Sequence, residues 1–335
     1  MHPLEKHWQK LTAISLLLLP LSALFAALAW LRRTAYRTGM LRAIRAPVPV
    51  VVVGNVSVGG TGKTPVVIWL ANNLQARGFR PGVVSRGYAG SGELSAVDAT
   101  SLPELVGDEP VLIARRTQCP VWVGRDRAAA VDRLLRSNPD VNVVISDDGL
   151  QHYRLARDVE IAVVDAKRQF GNRLLLPAGP LREPVSRLNS VDATIVNGDE
   201  RLTTPGMLPA ARMFAMTLDG RTFRNLRNPA TQVPAEHFTN MRLHAVAGIG
   251  NPERFFSHLR SRGLSFTQHA FPDHHAYSAS ELDFAAADAV LMTEKDAIKC
   301  GLFARESWWA LPVDAHIDIA LANLVIQRIG AARGY

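Results

Sequence analysis

The sequence predicts an α/β fold in which a largely parallel sheet carries helices on both faces and a smaller α/β domain follows. Short β-branched runs without period-two alternation are typical of strands buried on both faces, and here they alternate with segments that predict helices. A chain of 335 residues is longer than a typical single domain, so two domains are expected. The predicted strands of the first domain cover residues 48–53, 81–84, 121–123, 141–145, 161–164 and 193–196.

The chain begins with a hydrophobic segment. Residues 11–31 carry no charge, and as a helix they would reach about 30 Å, roughly one hydrocarbon thickness. Pro20 leaves open whether this helix spans the bilayer or lies in one leaflet. Arginines follow it, which by the positive-inside rule places the rest of the chain in the cytoplasm. We therefore expect residues 1–45 to form a membrane-associating segment that anchors the protein.

Composition narrows the class of partner. The formal net charge of +8 suits an anionic partner, such as an acidic membrane surface or a phosphorylated substrate. No helix-turn-helix, zinc-finger or aromatic RNA-binding pattern is present, so nucleic acid is not expected. Cys119 and Cys300 lack metal-ligand spacing and predict two buried thiols in a reducing compartment.

A glycine-rich turn, SVGGTGKTP, occupies residues 57–65, between the first predicted strand and a predicted helix. That context identifies a phosphate-binding loop, and with it a sheet of the P-loop NTPase type. Lys63 is expected to neutralise terminal phosphates and Thr64 to ligate Mg²⁺. Ser57 replaces the usual first glycine, and three later glycines supply the flexibility. Pro65 suits the first helical turn, whose N–H groups lack helical partners.

A predicted strand ends in Asp147 and Asp148. A carboxylate at the tip of a strand beside the phosphate loop is typical of the aspartate that holds Mg²⁺ directly or through water. Gln151 and His152 follow closely enough to face the same site. The motif therefore predicts a magnesium position next to the loop.

The turn Gly107–Pro110 carries Asp108 and Glu109 ahead of an apolar helix. It is either an ordinary helix start, where the dipole stabilises acids, or a source of a base and a metal ligand. The turn alone leaves both interpretations open.

Three further polar segments are candidates for substrate contact and proton transfer. Arg86 follows the second predicted strand and could contact a phosphate, and His274 or His275 could transfer a proton near neutral pH. The run 172–183 mixes arginines with apolar residues and would suit a substrate that is part lipid and part phosphate. Its candidate contacts are Asn172, Arg173 and Arg182.

The expected domain organisation follows from these segments. The phosphate-loop core is predicted over residues 46–200, a proline-rich boundary region over 201–242, and a smaller α/β domain over 243–335. That domain is predicted to contain strands at 244–250, 264–271, 289–296 and 308–317 and helices at 252–262, 278–287 and 320–330.

Taken in order, seven motifs resemble the tetraacyldisaccharide 4'-kinases of the lipid A pathway. The resemblance implies ATP-dependent phosphorylation, with Mg²⁺, of the 4'-hydroxyl of an acylated glucosamine disaccharide 1-phosphate. It also implies that the anchor places the protein at the cytoplasmic face of the bacterial inner membrane. The motifs are GNVSVGGTGKTP, SRGY, GDEP, DDGLQHYRL, LPAGPLRE, FPDHH and MTEKDAIKC, at residues 54–65, 85–88, 107–110, 147–155, 176–183, 271–275 and 292–300.

The resemblance also implies roles for particular residues. Asp108 is expected to be the catalytic base and His274 its partner, with Lys63 on the phosphates. Because the first two lie in different halves of the chain, we expect domain closure over ATP. The nucleotide-binding positions are Ser57, Val58, Gly59, Gly60, Thr61, Gly62, Lys63 and Thr64. The magnesium positions are Thr64, Glu109, Asp148 and Gln151.

The main alternative is a membrane-associated P-loop ATPase of the partitioning or metallochaperone class. The loop of that class carries a signature lysine where this chain has Val58, which weakens the alternative. ATP turnover that depends on a lipid disaccharide acceptor would distinguish the kinase from the ATPase.

Overall fold

The structure is a computed structural model that describes residues 6–87, 90, 92–198 and 212–333. Within this part of the chain the strands form two sheets, one of nine strands and one of six. Residues 201–211 of the predicted boundary region lie outside the described residues.

The strands of the nine-stranded sheet come mainly from the first half of the chain. Most of their pairings are parallel, and only the two edge strands, β3 and β15 as numbered below, pair antiparallel. These strands are β1 (Val50–Gly54), β2 (Pro81–Ser85), β3 (Ser95–Val97), β4 (Val121–Val123), β5 (Val143–Asp147), β6 (Val159–Asp165), β7 (Ala193–Asn197), β8 (Met213–Asp219) and β15 (Asp314–Ile317).

The second sheet combines parallel and antiparallel pairings and has the order β10-β9-β14-β13-β11-β12. Its strands are β9 (Thr222–Asn225), β10 (Gln232–Pro234), β11 (Leu243–Ala247), β12 (Phe266–Ala270), β13 (Ala289–Thr293) and β14 (Trp308–Leu311). The α-helices of the described residues are α1 (Ala13–Leu17), α2 (Leu19–Arg37), α3 (Lys63–Gln75), α4 (Pro103–Val106), α5 (Asp108–Thr117), α6 (Arg127–Ser137), α7 (Pro252–Ser261), α8 (Glu294–Cys300) and α9 (Ala320–Arg333).

β1 lies in the middle of the large sheet, whose order is β15-β8-β7-β6-β1-β5-β2-β4-β3. All five of its residues are buried, because Val51 and Val53 pack on one face of the sheet and Val50 and Val52 on the other. α3, α5 and α9 contribute to the first of these cores, and α6 contributes to the second. The prediction of a largely parallel sheet with helices on both faces is therefore confirmed.

The strands next to β1 place the polar residues that follow the predicted strands close together. β1 pairs in parallel with β5 on one side and with β6 on the other. The carboxyl ends of these three strands consequently lie at one edge of the sheet, where ligands bind in α/β folds. The phosphate loop follows β1, Asp148 follows β5, and residues 166–168 follow β6.

Three of the predicted elements in the second half differ from the structure. The strand expected over 289–296 ends at Thr293, whose hydroxyl accepts a hydrogen bond from the Asp296 N–H and so starts α8. The strand expected over 308–317 is two strands in different sheets. The helix expected over 278–287 is a series of turns, and Phe284 there stacks on His269.

The large sheet contains strands from both ends of the chain, and the small sheet is formed by a segment between them. β15 pairs antiparallel with β8, and α9 packs into the core that also contains α3, so residues 314–329 return to the large sheet. Strands β9 to β14, from residue 222 to 311, form the small sheet. The domain limits at residues 45, 200 and 242 stay a prediction.

The predicted anchor is not a membrane span. No helix of the described residues is long and apolar enough to cross a membrane. The segment is divided at Leu18 into α1 and α2, and Arg32 and Arg33 interrupt the apolar part of α2. From Leu19 to Leu31 the helix measures only about 20 Å, against a hydrocarbon core of about 30 Å. The expected localisation, anchorage of the protein at the inner membrane by this segment, is therefore wrong.

Candidate active site

The phosphate loop joins the end of β1 to the start of α3. Gly59 and Gly62 have φ angles of 92° and 95°, a left-handed conformation that glycine adopts without strain. The amide of Asn197, at the tip of β7, donates a hydrogen bond of 2.8 Å to the carbonyl of Thr61. The loop therefore has a fixed shape, and the N-terminus of α3 directs unpaired N–H groups toward any bound phosphate.

A cavity of about 1120 Å³ opens on the loop. Residues 58–65 form one wall, and residues of the small sheet and its connections form the opposite wall, among them 249–251, Asp273, His274 and Lys295. The two walls are close at one point, since a Cβ atom added to Gly250 would lie 3.0 Å from the Gly60 nitrogen. The cavity is large enough for a nucleotide and lies between the two sheets.

Asp148 lies beside the loop in an ion-pair cluster. Its carboxylate is 3.4 Å from the Lys63 ammonium and 3.1 Å from the Arg182 guanidinium. Burial alone would raise the pKa of Asp148, but these two cations outweigh it and lower the pKa to about 2. The residue also has a φ angle of 48°, which is uncommon outside glycine and is found at functional sites. Asp148 is thus a fixed anionic group at the loop.

Asp147, the last residue of β5, is buried beneath Asp148. One carboxylate oxygen accepts a hydrogen bond of 3.1 Å from the Ser85 hydroxyl, and the other has no hydrogen-bond partner among the described residues. Burial, followed by the negative charges of Glu109 and Asp148, raises its pKa to about 7. A buried carboxylate in this state is typical of a site completed by a cation.

Asp108 and His274 form a close pair. His274 Nδ1 lies 3.1 Å from both carboxylate oxygens of Asp108. Burial would raise the pKa of Asp108, yet the hydrogen bond with His274 and the charges of Lys295 and Lys299 hold the pKa below its usual value. His274 lines the cavity, whereas Asp108 is almost fully buried behind it. The pair has the geometry of an acid–base unit that faces the cavity through the imidazole.

Glu109 also faces the cavity and contacts a lysine that the sequence interpretation gave no role. Lys295 Nζ lies 3.1 Å from Glu109 Oε1 and 3.2 Å from Asp273 Oδ1. Burial would lower the pKa of Lys295, but the surrounding carboxylates raise it above its usual value. Lys295 is therefore a protonated, largely buried cation at the wall of the cavity.

Two predicted site residues, Ser57 and Gln151, do not line the cavity. Ser57 forms a backbone bridge with Leu181 and does not line the cavity. The side-chain nitrogen of Gln151 donates to the Asn55 carbonyl and to Glu183, and its side-chain oxygen lies 3.5 Å from the Arg182 guanidinium, which also contacts Asp148.

Of the four predicted substrate contacts, only Arg182 lines the cavity. Asn172 uses its amide on the carbonyl of Ala178 and the hydroxyl of Ser15, which ties the N-terminal segment to the body. Arg86 and Arg173 are exposed and outside the cavity.

The sequence interpretation missed Asn197 and Lys295. Asn197 could have been found, because it directly follows the strand predicted over 193–196, at the same edge of the sheet as the other polar strand ends. Lys295 lies inside a segment expected to be a strand, and its partners are distant in sequence, so no local pattern indicated its contacts.

Three of the four residues expected to hold Mg²⁺ lie at the same cavity. Thr64, Glu109 and Asp148 all line the cavity beside the loop. Among the described residues, no group of three or more His, Cys, Asp or Glu side chains is arranged to hold a metal ion by itself. Hydroxyl and carboxylate oxygens nevertheless form the donor set that Mg²⁺ takes when phosphate oxygens complete its shell.

Fold and site together define a P-loop kinase, with a phosphate loop, strand-end aspartates and a close Asp108–His274 pair around one cavity. The family model described as Tetraacyldisaccharide-1-P 4'-kinase matches residues 14–330. The chain therefore belongs to the tetraacyldisaccharide-1-phosphate 4'-kinase family.

Individual relatives support the same family. A tetraacyldisaccharide 4'-kinase of Methylobacillus flagellatus is 50% identical over 327 residues, which cover 97% of this chain and 95% of that protein. The tetraacyldisaccharide 4'-kinase of Azoarcus sp. is 51% identical over 329 residues, which cover 98% of this chain and 95% of that protein. An LpxK structure from Aquifex aeolicus, solved in complex with ATP, superposes with a TM-score of 0.79 at 30% identity and covers 94% of this chain and 99% of that one.

Proposed function

We propose that the protein transfers the γ-phosphoryl group of ATP to the 4'-hydroxyl of a tetraacylated glucosamine disaccharide 1-phosphate, a late step of lipid A biosynthesis. The observation that carries the proposal is the Asp108–His274 pair, whose imidazole faces the cavity that the phosphate loop also lines. Membership of the kinase family supports the choice of reaction.

The loop residues from Val58 to Thr64 are assigned to ATP. Their N–H groups and the N-terminus of α3 suit the phosphates, and Lys63 supplies a charge next to them. When bound, Mg²⁺ would neutralise charge on the β- and γ-phosphates. Thr64, Glu109 and Asp148 are assigned to hold it, and the unpaired oxygen of buried Asp147 fits a cation nearby.

Lys63 and Arg182 compensate charge during the transfer. Both contact Asp148, so both are held at the same side of the loop. Phosphoryl transfer depends mainly on charge neutralisation and in-line positioning. We assign Lys63 to the terminal phosphates of ATP and Arg182 to the acceptor side of the cavity.

The acceptor hydroxyl loses its proton to the Asp108–His274 pair. A base of this kind must lie within hydrogen-bond reach of the proton that it takes. His274 lines the cavity and Asp108 holds its Nδ1 atom, so the pair acts as one unit in which the carboxylate orients the ring. Asp108 remains the essential carboxylate.

The acyl chains and a lipid surface are assigned to the N-terminal helices. Leu17, Leu24, Leu28 and Trp30 are more than half exposed, although all are apolar. The Ser22 hydroxyl donates to the Leu175 carbonyl, which fixes α2 on the segment that leads to Arg182. A lipid acceptor bound along α2 would therefore extend toward the cavity, and an anionic lipid surface would complement the arginines after Leu31.

Acceptor-dependent transfer of radiolabel from γ-³²P-ATP tests the function directly. We expect labelled disaccharide bisphosphate to form only with Mg²⁺ and the lipid acceptor present, and ADP to form in equal amount. Asp108→Ala should reduce kcat by about 100-fold or more, since acid–base catalysis contributes on that order. ATP hydrolysis at the same rate with and without acceptor would contradict the proposal and favour the ATPase alternative.

A further inference from the structure

We propose that Lys295 is a positioning residue of the transfer reaction, whose ammonium group holds Asp108 and Glu109 in register with the loop that carries His274. This inference rests on the proposed function of the same site. It concerns a residue that contacts the acid–base pair and the expected metal ligand at once.

The contacts of Lys295 join three carboxylates. Its Nζ atom lies 3.1 Å from Glu109 Oε1, 3.2 Å from Asp273 Oδ1 and 3.9 Å from Asp108 Oδ2. Glu109 and Asp108 belong to the start of α5 on the large sheet, and Asp273 immediately precedes His274. One ammonium group therefore connects both sides of the active site.

The position of Lys295 is not explained by the stability of its own helix. It is the second residue of α8, where the positive end of a helix disfavours a cation. Only 15% of its side chain is exposed, so water screens its charge poorly. The contacts with the carboxylates compensate for both effects, so these contacts, and not the helix, stabilise a lysine at this position.

The carboxylates need this cation to remain close together. Asp108, Glu109 and Asp273 all contact Lys295, and without it their charges would repel one another at short range. Lys299 also lies 3.9 Å from Asp108, but its ammonium group is 2.8 Å from Asp296 and is engaged there. Loss of Lys295 should therefore let Asp108 and Glu109 move away from their working positions.

A purely structural role is the competing explanation, because α8 packs on α5 and any ion pair between them would join the helices. Arg116 and Glu294 form such a pair, at 2.6 Å between the same two helices. Arg116 does not line the cavity and does not contact Asp108. Arg116→Met is therefore a matched control for Lys295→Met.

The test measures kcat and the KM for ATP with lipid acceptor in the wild-type protein, Lys295→Met, Lys295→Arg and Arg116→Met. We expect Lys295→Met to lose about 100-fold in kcat, the cost of a catalytic group misplaced by about 1 Å. The KM for ATP should change by less than about threefold, because the loop contacts persist. Lys295→Arg should recover part of kcat, and Arg116→Met should keep kcat within about threefold of the wild-type value.

Two outcomes separate this inference from the proposed function. If the wild-type protein fails to phosphorylate the acceptor, the proposed function is wrong. If the wild-type protein is active and Lys295→Met has the kcat of Arg116→Met, only the inference is wrong. If circular dichroism shows that Lys295→Met does not fold, Lys295→Gln, which keeps a polar side chain, takes its place in the comparison.

Discussion

His274 Nδ1 lies 3.1 Å from both carboxylate oxygens of Asp108, although 166 residues separate the two in the chain. Asp108 begins α5, which packs on the large sheet, and His274 follows β12 of the small sheet. His274 has a φ angle of 61°, an uncommon conformation that surrounding contacts must maintain. The Asp108–His274 pair therefore joins the two sheets next to the phosphate loop.

His274→Ala should lower kcat by about 100-fold, because it removes the imidazole that faces the cavity. The KM for ATP should remain near the wild-type value, since the phosphate loop is unchanged. The matched control is His275→Ala, because His275 is the next residue and pairs with Glu281 outside the cavity. Equal activity of the two variants in the acceptor assay would contradict the role of His274.

Gly62→Ala should weaken ATP binding by about tenfold or more. A Cβ atom at this position would lie 2.4 Å from the Asn197 amide nitrogen and would displace the hydrogen bond that holds the Thr61 carbonyl. Isothermal titration calorimetry with a nonhydrolysable ATP analogue measures the change in Kd.

The control for Gly62→Ala is Gly78→Ala. Gly78 has a similar φ angle of 83°, but an added Cβ atom would meet no atom within 4 Å. Gly78→Ala should therefore cost only the strain of left-handed backbone, about 1 kcal/mol of stability, and leave ATP affinity unchanged. A Kd for Gly62→Ala that equals that of Gly78→Ala would show that the contact with Asn197 does not shape the loop.

The large sheet was predictable because each of its central strands is a short apolar run that ends in a polar turn. The parallel arrangement then places Lys63 and Asp148 at one edge without further information. The pairing of Asp108 with His274 required more, since the turn at Asp108 was open to two interpretations. Only the resemblance to a known family connected these two residues before the structure did.

The remaining differences arise from contacts between distant segments. Lys295 was missed because its partner Glu109 is 186 residues away, and ion pairs of that kind leave no local pattern. The helix expected near Phe284 is absent because that ring stacks on His244 and His269 of another part of the small sheet. The anchor was predicted from the uncharged length of residues 11–31 and the arginines that follow, whereas the structure divides that stretch at Leu18 and has Pro20 in the first turn of α2.

His152 should make the protein less stable at acidic pH. Burial, with the charge of Arg127 nearby, lowers its pKa from 6.5 to about 4. Between these two pH values the unfolded chain binds the proton and the folded protein does not, so the free energy of unfolding falls as the pH drops from 6.5 toward 4.

Urea unfolding at several pH values measures this effect. His152→Gln should reduce the loss of stability between pH 6.5 and 4, because residue 152 then takes up no proton in either state. His316→Gln, which removes an exposed histidine of the edge strand β15, is the control for losing one imidazole. Equal pH dependence of the wild-type protein and His152→Gln would contradict the assignment.

Asp296 is a fully buried carboxylate that organises the small sheet next to the cavity. It accepts hydrogen bonds from the Thr293 hydroxyl at 2.6 Å, the Tyr277 hydroxyl at 3.1 Å and the Gly248 N–H at 3.0 Å. Its fourth partner is the ammonium group of Lys299 at 2.8 Å. These contacts hold the turn after β11, whose glycine at position 250 faces the phosphate loop.

Asp296→Asn should therefore destabilise the protein by about 3–5 kcal/mol, because buried Lys299 would lose its nearest counter-charge and keep only Asp108, at 3.9 Å. The control Tyr277→Phe removes one hydrogen bond to the same carboxylate and should cost about 1–2 kcal/mol. Urea unfolding at pH 7.5 compares the two variants. Asp296→Asn should also weaken nucleotide binding, since a displaced Gly248 N–H would let residues 248–250 move relative to Gly60. An Asp296→Asn variant no less stable than Tyr277→Phe would show that Lys299 does not depend on this carboxylate.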